Sequence, residues 1–225
     1  MLVALRNARK TGRSRAASIC GVPALYGGAG QARPFALVQV CAMLCALPLF
    51  AAERMTVSVC SRTRLDGKAV LGAEATAASL FHSIGIEIIW AECEAALEGD
   101  EAAQQHWFTV RFRDGQPFLT PSRAALDTLG EAFLSADNVG YVVDVYREAV
   151  ERLAASQLID LRLLLGYVMA HELAHLLLGP GHSAKGVMHV AWDRRDLDAM
   201  RQGGLKFNPE EIARMRQVLH GPIAP

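Results

Sequence analysis

The spacing of apolar and polar positions changes several times along the chain. Met55–Cys60 alternates and is rich in β-branched residues, which predicts a strand. A polar turn region, Arg62–Gly67, separates it from Val70–Ser83, an alanine-rich stretch with apolar residues at helical spacing that Gly85 closes. Ile86–Trp90 predicts a second strand and Gly99–Gln105 a polar loop. Trp107–Arg113 predicts a third strand that ends in the turn pair Asp114-Gly115. Two shorter strands, Gly130–Leu134 and Gly140–Val145, precede a surface helix at Glu148–Ala155. Leu158–Leu178 then reads as a long helix, apolar on nearly every side. Asp160, Arg162, His171, Glu172 and His175 make it too polar for a membrane span. Asn208, Pro209 and Glu210 have the pattern of cap, first position and first-turn acid of a last helix through Leu219. Strands first and helices after predict an α+β fold.

Composition sharpens this picture at the N-terminus. Of 225 residues, 52% are hydrophobic and 20% charged, enough apolar surface for a buried core. The formal charge of zero hides an asymmetry. Six of the 23 Lys and Arg precede Glu53 (Arg6, Arg9, Lys10, Arg13, Arg15, Arg33) and none of the 23 acids does, so residues 53–225 hold 17 against 23, a formal −6. A mildly acidic body argues against nucleic acid as a partner, because phosphate binding needs clustered cations. The basic stretch leads into an apolar run from Phe35 to Ala52 ending in the small residues Ala51 and Ala52. That is the layout of a secretory signal, residues 1–52, ahead of a single domain at 53–225. Left uncleaved, residues 35–52 would instead form a membrane anchor. Three of five cysteines (Cys20, Cys41, Cys45) lie in this leader, which leaves Cys60 and Cys93 for an oxidising compartment. Each ends a predicted strand, and strands joined by a helical crossover tend to lie side by side, so the two are expected to form a disulfide.

The chemistry is concentrated in His171-Glu172-Leu173-Ala174-His175. Four residues on a helix is slightly more than one turn, so both imidazoles project from one face and can grip one ion. Glu172 lies about 100° round the helix, placed to reach a water on that ion without displacing it. Zinc suits such a set, since it binds neutral imidazole and keeps a fourth position open. Gly179 ends the helix as a left-handed cap, Pro180 prevents its resumption, and the turn delivers His182 as a third ligand. Asp193, Asp196 and His189 are the alternatives for that third place. Trp192 either packs or walls a pocket, whereas His82, His106 and His220 have no partner at ligand spacing.

The segment His171–Met188 resembles the active-site stretch of metzincin zinc metalloproteases, especially their matrixin-like branch. There a His-Glu-x-x-His helix is followed by a glycine, a third histidine, often serine, and a methionine-bearing turn. The resemblance implies zinc ligation by His171, His175 and His182, Glu172 as general base, Gly179 as helix-ending glycine and Met188 as the Met-turn residue. It also implies a zincin-like fold, with a twisted mixed sheet packed on two main helices. Phe207–Arg216 is similar to the helix that closes matrixin-like domains. Two departures stand out. Gly179 and His182 come one residue later than the family pattern, and Val190 stands two residues after Met188, where some metzincins carry an oxyanion-supporting tyrosine.

Together these readings describe an exported, monomeric zinc endopeptidase that takes a peptide or protein substrate along an exposed strand edge, for which Gly130–Leu134 is the candidate. The competing readings are a zinc-binding protein without peptidase activity and a membrane-tethered interaction module. N-terminal sequencing of exported protein is expected to begin near Ala52 or Glu53; a mature chain that retains Phe35–Ala51 would mark an anchor instead.

Overall fold

The computed structural model describes residues 53–61, 63–93, 106–115 and 128–221. The leader and the loop expected at Gly99–Gln105 lie outside them. Five strands form one mixed sheet: β1 (Glu53–Ser61), β2 (Ile86–Glu92), β3 (Trp107–Arg113), β4 (Gly130–Phe133) and β5 (Val142–Tyr146), in the order β2-β1-β3-β5-β4. All neighbours are parallel except β4, which runs antiparallel to β5 with Glu131 opposite Asp144. The strand edge next to the His171–His175 segment is therefore the one that runs against the rest.

Alternation in the strands sends Val110, Phe112, Val143 and Val145 into the core, each essentially inaccessible to water. Two helices pack against the sheet. Helix α1 (Gly67–His82) starts earlier than its apolar spacing predicts, because the Asp66 carboxylate accepts the Lys68 backbone N–H and caps the first turn. Its buried stripe is mostly alanine (Ala69, Ala73, Ala77), which leaves room for close helix packing. Helix α3 (Leu161–Leu178) lies along that stripe and across β3, β4 and β5. It also starts later than predicted. Helix α2 (Arg147–Gln157) ends at Leu158 in the left-handed region (φ +53°), and the Asp160 carboxylate then caps α3 through the N–H groups of Arg162 and Leu163. Helix α3 is long and apolar enough to cross a bilayer, but 72% of it is buried inside the protein, so its hydropathy reflects a core position.

One helix was not predicted. Arg194–Arg201 forms α4, opened by Asp193 and Asp196 as a reciprocal capping box. Helix α5 (Pro209–His220) follows, with Asn208 and Glu211 as its own capping box. The disulfide joins Cys60 of β1 to Cys93 just past β2, with Cα atoms 4.9 Å apart, as the parallel pairing of these strands predicts. The fold is thus α+β, a mixed sheet with its two main helices on the sheet.

Helices α1 and α3 approach closely at Gly166. A Cβ there would lie 2.4 Å from the Thr76 Cβ and 2.7 Å from the Ala73 carbonyl oxygen, and a backbone atom cannot yield as a flexible side chain can. Gly166→Ala is therefore expected to destabilise the fold by about 1–3 kcal/mol despite alanine's better helix propensity, measured as a lower denaturation midpoint at unchanged slope.

Candidate metal centre

Helix α3 carries His171, Glu172 and His175 through its most buried stretch. Both imidazoles are held by backbone carbonyls. His171 Nδ1 lies 2.7 Å from the Val187 carbonyl oxygen and His175 Nδ1 lies 2.9 Å from that of Gly179. A carbonyl only accepts, so each Nδ1 carries the proton and each Nε2 is left with its lone pair. Those two Nε2 atoms are 3.1 Å apart in a buried site. Two nitrogens bound tetrahedrally to one zinc at ~2.1 Å would be about 3.4 Å apart. The facing lone pairs repel unless a cation or proton lies between them.

Gly179 ends the helix as the sequence predicts, but not as a left-handed cap. Its φ of +84° and ψ of −169° lie in a region open essentially to glycine alone. This turn sends the chain back so that His182 faces the pair. Its ring centroid lies 4.8 Å from that of His175 and 5.4 Å from that of His171. One ligand nitrogen from each of the three rings falls within 4.8 Å of the others. The residue that delays the glycine is thus absorbed by the turn, and the same Gly179 supplies the carbonyl that orients His175. Three neutral imidazoles, two of them offering Nε2 and the third a ring nitrogen within 4.8 Å, form a donor set that fits zinc.

The rivals for the third position are engaged elsewhere. Asp193 caps α4, and the Asp196 carboxylate lies 2.7 Å from His189 Nδ1 while also accepting the Asp193 N–H. The other histidines lie away from the three-imidazole cluster. His82 is exposed, His106 is buried at the start of β3, and His220 Nε2 lies 2.9 Å from Glu53.

The loop carrying His182 is tied down on the far side. The Ser183 N–H donates to the Met188 carbonyl, and the Ser183 hydroxyl donates to the Glu211 carboxylate while accepting from the Asn208 amide. Neither Glu211 nor Asn208 was singled out for this; only their capping pattern was visible in the sequence. Met188 is fully buried. Trp192 packs edge-on against His171 and Tyr167, and its indole N–H shares the Val187 carbonyl with His171. It also lines the cavity beside the histidines, so packing and pocket wall are one role.

Glu172 lies against β4. A Cβ on Gly130 would meet the Glu172 side chain at 2.6–3.0 Å, so only glycine leaves room for this carboxylate under the edge strand. Burial, and then the nearby Glu131 carboxylate, push the Glu172 carboxyl up to about 8. Burial holds His171 down at about 4 and also lowers His175 and His182. Burial thus favours the uncharged forms throughout, neutral imidazoles beside a protonated acid. A cation among the imidazoles would favour the carboxylate form. In front of them opens a cavity of about 850 Å³, lined by β4, α2, α3 and the loop from His189 to Trp192.

This electrostatic arrangement is measurable as stability. Unfolded Glu172 loses its proton near pH 4.5 and folded Glu172 near 8, so between these values the unfolded state binds fewer protons and stability falls as pH rises. The depressed histidines act in the opposite sense, but only up to about 6.5, where unfolded rings are already neutral. Chemical denaturation of chelator-treated protein is therefore expected to lose stability from pH 6.5 to 8, and Glu172→Gln is expected to flatten that limb.

No family model and no curated protein matches the sequence. Among solved structures, the chain is similar to archaemetzincin from Methanopyrus kandleri, at 14% identity and TM-score 0.45 over 78% of this chain and 99% of that one. Metalloproteinase-II from Bacteroides fragilis is similar at 12% identity and TM-score 0.43 over 74% of this chain and 53% of that one, so the chain spans about half of its length.

Proposed function

We propose that the chain is an exported zinc metalloendopeptidase, secreted or periplasmic, that works as a monomer on peptide or protein substrates. The observation that carries this reading is the pair of facing Nε2 lone pairs, joined by the His182 ring and flanked by a buried carboxyl group. That is a zinc site with a base beside it. Zinc, when bound there, would polarise the scissile carbonyl and acidify a water.

The chain's own residues supply the rest. His171, His175 and His182 hold the metal, with the first two oriented by Val187 and Gly179. Glu172 takes the proton from the water as its oxygen bonds to the carbonyl carbon, and the carbonyl π pair moves onto oxygen. The carbon–nitrogen bond then breaks, and Glu172 returns the proton to the departing amine. Among the described residues nothing pairs with the outer edge of β4, so a substrate can add there as a further strand. Such pairing would carry the scissile bond past Gly130 and over Glu172. A recess lined by Leu129, Ala149, Leu153 and Val168 offers an apolar place for one substrate side chain.

Glu172→Gln is expected to keep stoichiometric zinc and lose at least ~10²-fold in peptide turnover. His182→Ala is expected to weaken zinc binding by orders of magnitude, read by competition with a chromogenic chelator. A fully active Glu172→Gln protein would overturn the mechanism, and zinc binding undiminished in His182→Ala would remove His182 from the ligand set.

A further inference from the structure

The geometry points to His189 as a second catalytic residue, one that donates a hydrogen bond from Nε2 to the oxygen of the scissile carbonyl as negative charge develops on it. The inference rests on the peptidase reading above. Four observations support it.

First, His189 lines the same cavity as His171, Glu172, His175 and His182. Second, its position is fixed from both sides. The His189 N–H donates to the Gly186 carbonyl, and a bridge between Ser183 and His189 sets it alongside the loop that delivers His182. Third, its ring is oriented. Nδ1 lies 2.7 Å from the Asp196 carboxylate, which accepts, so Nε2 is the edge left for a ligand in the cavity, and it donates there in the doubly protonated ring that the carboxylate pairs with. The carboxylate is itself held in the capping box of α4, where it also accepts the Asp193 N–H at 3.1 Å. Fourth, the ring is only about a quarter exposed and Asp196 less so, so water does not fully screen the pair.

A site of this kind needs a donor aimed at the oxygen in the transition state. Val190 has no polar atom on its side chain, and its side chain is exposed. The neighbouring imidazole has the needed chemistry. As water adds and the π pair moves to the carbonyl oxygen, the His189 ring would lie between two anions, Asp196 on one side and the alkoxide on the other. Both ring N–H groups would then be satisfied. When the carbon–nitrogen bond breaks, the charge on oxygen collapses and the ring is released unchanged. Asp196 acts through His189 and is a positioning residue.

The test uses the zinc-loaded protein with a peptide that it cleaves and a phosphinic analogue of that peptide, whose phosphinate oxygens mimic the charged intermediate. His189→Ala is expected to lose about 10²-fold in kcat with little change in KM, and to weaken phosphinic-peptide binding by a comparable factor. Zinc stoichiometry should be unchanged. His189→Gln, which keeps an N–H donor at a similar reach, should recover part of both losses. Asp196→Ala should lower kcat more than it raises KM, with recovery in Asp196→Asn. Equal kcat and equal analogue affinity in His189→Ala would overturn the proposal, as would loss of zinc from that variant. Wild-type zinc protein that neither cleaves peptides nor binds the phosphinic analogue would overturn the peptidase reading itself. An active wild type with an equally active His189→Ala would overturn only the role of His189.

Discussion

The hydrogen bonds from His171 and His175 to the carbonyls of Val187 and Gly179 are the contacts on which the rest of the site depends, because they decide which nitrogen of each ring is free. A helix alone places two imidazoles on one face but leaves their tautomers and rotation open. Here the acceptors come from two different parts of the chain. Gly179 belongs to the break that ends α3, and Val187 to the turn that buries Met188. Each is fixed in turn: Gly179 by its N–H to the His175 carbonyl, Val187 by its N–H to the Lys206 carbonyl. The three-histidine cluster is thus assembled only when the helix, its terminating turn and the segment leading to α5 have all packed.

The sheet performs a parallel service for Glu172. Four strands run one way, and β4 alone is reversed at the edge. That reversal lays a short antiparallel edge along α3, and Gly130 lets it come down onto Glu172. A larger residue at 130 would lift the edge or displace the carboxylate. On the proposed reading, the two requirements of hydrolysis, a place for extended backbone and a base beneath it, would be met by one close contact between strand and helix.

Most of this arrangement was legible in the sequence, though not evenly. Strand alternation and the apolar helix gave the elements, and the spacing of His171 and His175 gave the shared face. Gly179 gave the break but not its backbone state, since a composition of glycine and proline tells that a helix ends without telling at which ψ. Helix α4 was missed because Asp193 and Asp196 were weighed as metal ligands. Their spacing is equally that of a cap and its third residue, and packing alone separates the two. The Ser183–Glu211–Asn208 contacts were invisible for a related reason: partners 25 and 28 residues apart leave no periodic signal. What the sequence carries well is local geometry, and what it carries poorly is which acceptor a donor meets across the fold.

The charge state of Glu172 joins these strands of argument. Buried beneath β4 and near Glu131, the carboxyl is held neutral up to about 8, and a neutral acid is a poor base. Burial also disfavours the charged forms of the imidazoles beside it. A divalent cation held by the three rings changes that balance, since an opposite charge nearby favours the ionised acid by the same electrostatics that burial opposes. On the proposed reading, burial of Glu172 makes its basicity conditional on metal: packing disfavours the carboxylate, and an ion held by the three rings would favour it. Exposed to water, the same glutamate would be ionised with or without metal, and the coupling would be lost.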